Sequence, residues 1–77
     1  MPPDRSPDVV AAEVRVLLDE LAAHPDSAAF QELIGLSDHL GRALGDSARL
    51  LAEAGSWSQV ASVAGTSKQA AWSRWRL

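Results

Sequence analysis

Apolar residues recur along this chain three and four positions apart, and no segment alternates strictly between apolar and polar. That is the period of amphipathic helices rather than strands. The first run is Val10, Val14, Leu17 and Leu21, widened by Leu18, with acids and Arg15 on the other face. Ser6-Pro7-Asp8 precedes it and is a helix start: a capping hydroxyl, a proline at N1 whose missing N–H costs nothing, and an acid in the first turn. The spacing predicts a helix over 6–23, stopped at His24-Pro25 because the residue before a proline avoids the α region.

The second run is Phe30, Leu33, Ile34, Leu40, Leu44, Ala48 and Leu51, and it predicts a helix over 27–54 with Asp26 or Ser27 as its cap. Gly35, Gly41 and Gly45 lie inside it, each costing roughly 1 kcal/mol relative to alanine. Two explanations compete. Ser37, Gly41 and Gly45 are four apart and would form a small-residue seam for another helix, or the helix breaks at Gly45 and Asp46 caps a new segment. One long helix, bent or weakened near Gly45, is the preferred expectation.

Gly55 is expected to end that helix in the left-handed conformation, and Ser56-x-x-Gln59 reads as a capping box for the next. Trp57, Val60, Ala61 and Ala64 then share one face of a helix over 57–64. Gly65 ends it, and Ser67 caps a last helix over 67–76 in which Ala71 and Trp75 stand one turn apart. Two short helices around a glycine turn, the second of them basic, are the pattern of a helix-turn-helix. The expected fold is therefore all-α. An N-terminal helical hairpin has a long second helix that leads into a C-terminal trihelical helix-turn-helix, with no wing.

Charge sharpens this division. The net charge of −3 conceals eight acids against two bases in residues 1–41, and five bases (Arg42, Arg49, Lys68, Arg74, Arg76) against two acids in residues 42–77. The first stretch is net −6 and the second net +3, so one end faces a polyanion and the other solvent or a second copy. Five bases are a light phosphate footprint for a monomer. The expected organisation is a disordered lead over 1–5, a dimerising hairpin over 6–41 and a DNA-binding unit over 42–77.

Other chemistries find little here. The 77 residues are enough for one small domain, and with no cysteine neither disulfides nor thiolate metal sites are available. His24 and His39 stand fifteen residues apart without a third soft ligand, so no metal site is expected. No nucleophile elbow, phosphate-binding glycine loop or paired carboxylates in a cleft is present, so the chain is not expected to be an enzyme or to hold a cofactor or small molecule. It has neither a spanning apolar run nor a signal peptide, and a cytoplasmic location is the expectation.

On a wheel of the last helix, Ala71 and Trp75 point inward, flanked by Lys68 and Arg74. Gln69, Ser73 and Arg76 face outward, with Ala70 and Trp72 at the margins. The expected DNA-contacting set is Ser67, Lys68, Gln69, Trp72, Ser73 and Arg76. Gln69 has the groups to pair with adenine N6 and N7, Lys68 to reach a guanine or phosphate, and Arg76 to reach a phosphate. Each has a plainer alternative. Gln69 also fits the N3 position of a Thr66-x-x-Gln69 capping box. Trp72 has three roles open to it: flank packing, a contact with DNA, or a contact with a partner. Trp57 and Trp75 are expected in the core. Arg42 and Arg49 share one face of the long helix, where solvation competes with phosphate contact.

The segment SWSQVASVAGTSKQAAWSRW resembles the helix-turn-helix of small actinobacterial transcriptional regulators, in which a tryptophan-led helix, a glycine turn and an S-[RK]-Q-A-A-W-x-R-W recognition helix recur. The matching residues are Trp57, Val60, Ala61, Ala64, Gly65, Ser67, Lys68, Gln69, Ala70, Ala71, Trp72, Arg74 and Trp75. The resemblance covers about the last third of the chain and implies sequence-specific binding of double-stranded DNA, usually by a dimer. Thr66 departs from it, because an aliphatic residue that plugs the core usually follows the turn glycine. The competing function is a helical protein–protein interaction module, such as a transcription or phage accessory factor, that does not read DNA.

Overall fold

The computed structural model describes residues 5–77, so the first four residues of the expected disordered lead lie outside the described residues. Four helices follow in order: α1 (Pro7–Ala22), α2 (Ser27–Ala54), α3 (Trp57–Ala64) and α4 (Lys68–Trp75). No strand occurs among the described residues, and no helix is long and apolar enough to cross a membrane. The described residues divide into two compact units between Leu36 and Ser37.

In the first unit Pro7 opens α1, but Ser6 does not cap it as expected: its side chain accepts nothing from the backbone. The Ser6 hydroxyl is instead the largest influence holding the neighbouring Asp8 carboxyl below its ordinary value of 3.8. Arg5 pairs with Glu13 one further turn along. Asp26, not Ser27, is the side chain that caps α2, with Oδ1 accepting from the Ala29 N–H at 2.8 Å. Burial here is shallow. α1 has no buried residue, and Ala29 is the only one among the described residues up to Leu36. Val10, Leu18, Leu21 and Leu33 are half-buried, whereas Val14, Leu17 and Leu36 border an open apolar groove of ≈ 450 Å³.

α2 runs unbroken through all three glycines, the preferred expectation. The small-residue seam is not filled. A Cβ on Gly35 or Gly41 would meet nothing within 4 Å, and the neighbour over Gly45 is the guanidinium of Arg49 in the same helix.

The second unit closes around Ala48, Val60, Ala61 and Ala71, with Leu51, Ala52, Trp57 and Trp75 packed against them. Four small residues at the centre let short helices approach closely, and two half-buried tryptophans supply the covering apolar area. Gly55 differs from expectation. Gly65 alone among the described residues has positive φ, so Gly55 does not end α2 by a left-handed turn. The place where a Cβ would stand on Gly55 is taken instead by the flexible end of the Gln59 side chain. Only one arm of the Ser56–Gln59 box forms, the Gln59 N–H donating to Ser56 Oγ at 3.2 Å. The Gln59 side chain lies instead over Gly55.

A candidate nucleic-acid interface on the last two helices

Gly65 has φ 71°, ψ 35°, and its own N–H turns back to the carbonyls of Ala61 and Ser62. Thr66 follows with its N–H on the Ala61 carbonyl at 3.0 Å, closing a six-residue C-cap that satisfies the end of α3. The Thr66 side chain is exposed, so its hydroxyl is solvated and needs no partner within the protein. Ser67 then has extended backbone and accepts from the Ala70 N–H at 3.1 Å. Ser67 is thus the cap of α4, which puts Gln69 at the second helical position and leaves the Thr66–Gln69 box unformed. Three successive residues bring the chain out of one helix and into the next.

Ala71 is completely buried at the joint between α3 and α4, where any larger side chain would separate them. Trp75 is half-buried beside it, and Arg74 lies over the Trp75 ring at 5.2 Å. On the other face of α4, Gln69 and Ser73 are exposed, and so is Lys68 at the flank of the first turn; none of the three forms a side-chain hydrogen bond or ion pair among the described residues. Gln69 and Ser73 thus stand one turn apart with their bonding capacity unspent, and the Lys68 ammonium stands at the flank of the first turn. The N-terminus of α4, with its unsatisfied N–H groups, adds a partial positive charge beside them.

Trp72 and Arg76 are placed differently from the rest of the expected set. Trp72 is 46% exposed, and the Arg76 guanidinium lies over its ring at 4.4 Å. Arg76 has left the helix, with extended φ −64°, ψ 155°, so it does not share the helical face with Gln69 and Ser73. It forms with Trp72 a separate cationic and aromatic margin at the C-terminal end of α4. The i, i+4 spacing of Trp72 and Arg76 was the available signal for that pairing.

The two arginines of α2 part company. Arg42 pairs with Asp38 at 2.9 Å on an open surface, where such a pair contributes little. Arg49 is drawn inward, donating from Nη1 to the Trp75 carbonyl at 2.7 Å and from Nη2 to Asp46 Oδ1 at 2.6 Å. The expectation of a solvated face therefore does not hold for Arg49, which is half-buried.

Comparison with known proteins returns no match: no family model fits the chain, and no curated protein or solved structure is detectably similar to it.

Proposed function

We propose that this chain is a sequence-specific double-stranded DNA-binding protein, a transcriptional regulator that works as a homodimer and lays α4 in the major groove. In this reading the C-terminal half of α2 with α3 and α4 is a trihelical helix-turn-helix without a wing, and α1 with the start of α2 is a dimerising hairpin. The observation that carries it is the exposed surface of α4, where Gln69 and Ser73 on the outer face and Lys68 at the flank of the first turn have no partner among the described residues. Gln69 would read adenine, Lys68 a guanine or phosphate, and Ser73 an adjacent base edge. Ser67 would seat the helix N-terminus against a phosphate, and Arg76 with Trp72 would hold the neighbouring backbone.

Dimerisation rests on the first unit. Seven large apolar side chains there, Val9, Val14, Val16, Leu17, Phe30, Ile34 and Leu36, are 42–65% exposed. Of these, Val14, Leu17 and Leu36 border one open apolar groove, a surface that a second copy would cover. Two such faces paired about a two-fold axis bury one another, double the basic residues presented to DNA, and space two recognition helices about 34–36 Å apart.

The second reading, a helical module that binds protein and not DNA, draws on a different observation. Leu44, Ala48, Leu51, Val60, Val63, Ala64 and Trp75 line an apolar groove in the second unit, with Val63 77% exposed. Selection from a random-sequence duplex library at low salt, followed by a salt titration, separates the two. Enrichment of a motif, with affinity falling steeply as salt rises, supports DNA reading; no enrichment and no salt dependence rejects it in favour of the protein partner.

A further inference from the structure

We infer that Gly45, Asp46 and Arg49 are positioning residues for α4: together they form a seat that fixes the C-terminal end of that helix to α2. Arg49 is its centre. Its side chain is 27% exposed, unlike the 73% of Arg42. One guanidinium nitrogen donates to the Trp75 carbonyl at 2.7 Å, at the last helical residue of α4. The final carbonyls of a helix have no acceptor role left within it and carry its partial negative charge, so a cation placed there satisfies both. Asp46, three residues before Arg49, takes the second nitrogen at 2.6 Å and sets the plane of the fork.

Gly45 completes the seat by having no side chain. It is buried, and a Cβ built on it would lie 3.1 Å from Nη1 and 3.6 Å from Nη2 of Arg49. The guanidinium therefore lies directly over the α2 backbone, held at both ends. A methyl group at 45 displaces the very nitrogen that reaches Trp75. This accounts for a glycine in the middle of a long helix, where it is otherwise unfavourable, and separates Gly45 from Gly41, above which the space is open. An eight-residue helix has too few internal bonds to hold its own pitch. Ala71 secures it near the middle and the Arg49 fork secures its end, so the outer face keeps one orientation.

The seat stands on contacts within the second unit; its consequence for recognition rests on the DNA reading proposed above. The test uses the full chain and the variants Arg49→Ala, Asp46→Asn, Gly45→Ala and Gly45→Ala/Arg49→Ala. Amide exchange over Trp72–Arg76 should accelerate at least several-fold in Arg49→Ala, and in the same direction but less in Asp46→Asn, while exchange in α1 stays unchanged. Thermal midpoints should reverse sign: Gly45→Ala lowers the midpoint when Arg49 is present and raises it by a few degrees, about 4 °C, when Arg49 is alanine. Unchanged α4 exchange in both Arg49→Ala and Asp46→Asn, or the same sign for Gly45→Ala in both backgrounds, overturns the seat. These readouts need no DNA, so a chain that binds none sinks the DNA reading and leaves the seat to be decided on its own. On a selected duplex, Arg49→Ala should weaken binding with the salt slope unchanged. A slope smaller by about one identifies a direct phosphate contact and also overturns the inference.

Discussion

Gln69 and Arg76 lie seven residues apart, yet their surroundings assign them different work. Gln69 stands on the exposed face of α4 with its amide uncommitted, whereas Arg76 has left the helix and lies across Trp72. In the DNA reading, Gln69→Ala should relax preference at one base position by about 1–3 kcal/mol, because a bidentate amide–adenine pair discriminates by that much. Arg76→Ala should weaken all duplexes alike and lower the salt slope by about one. Parallel selections with the two variants make that comparison. Asp8 offers a residue-scale test that is independent of function. Its carboxyl is held below 3.8 by the Ser6 hydroxyl first and the Asp8 N–H next, partly opposed by desolvation, with the Val9 N–H the smallest influence. A depressed carboxyl stabilises the fold above its unfolded value, and that contribution disappears as pH falls through the lower folded value. The first turn of α1 should therefore fray as pH drops below 3.8, and Asp8→Asn should remove the pH dependence of amide exchange at Val9 and Val10.

Among the helices, the glycines separate by what surrounds them. Gly35 and Gly41 have open space where a Cβ would go, so alanine at either should stabilise α2 by roughly 1 kcal/mol in chemical denaturation. Gly65, at φ 71°, should respond the other way, losing about 1–2 kcal/mol on substitution by alanine because an L side chain is strained there. If Gly41→Ala instead splits the assembly, a neighbouring copy's helix lies against that glycine. Asp26→Ala should cost about 1 kcal/mol, since its carboxylate answers the Ala29 N–H that α2 cannot satisfy itself.

For the whole chain, the proposed oligomer follows from a mismatch between apolar content and burial. The sequence is 47% hydrophobic, yet among the described residues no large side chain is fully buried, and α1 has no buried residue at all. A chain of this size cannot draw much stability from so thin a core. Sedimentation at tens of micromolar should give twice the chain mass, and Leu17→Glu or Ile34→Glu should return the monomer and lower the midpoint. A monomer mass for the unaltered protein at that concentration rejects the dimer. Net charge of −6 over residues 1–41 would keep that half away from the phosphates, so the salt slope should be set by bases within residues 42–77, Arg49 excepted.

The all-helical class, the four helices to within a residue or two at each end, and the turn at Gly65 were determined by the sequence alone, because they depend on local events. Apolar spacing, a proline after His24, capping side chains and a residue able to take positive φ each act within a few positions of one another. What tertiary structure decided was where long side chains go. Gly55 and Gly65 look alike in the sequence, but one clears space for Gln59 and the other supplies a left-handed turn. Arg42 and Arg49 share a helical face, yet only Arg49 finds a helix end within reach, 26 residues along the chain at Trp75. Helical period says which residues share a face; it does not say which carbonyl, ring or open solvent that face will meet. The exposed set on α4 was visible as a pattern; that Ala71 and Trp75 pack into the second unit's core and that the Arg49 guanidinium meets the Trp75 carbonyl came only from tertiary contacts.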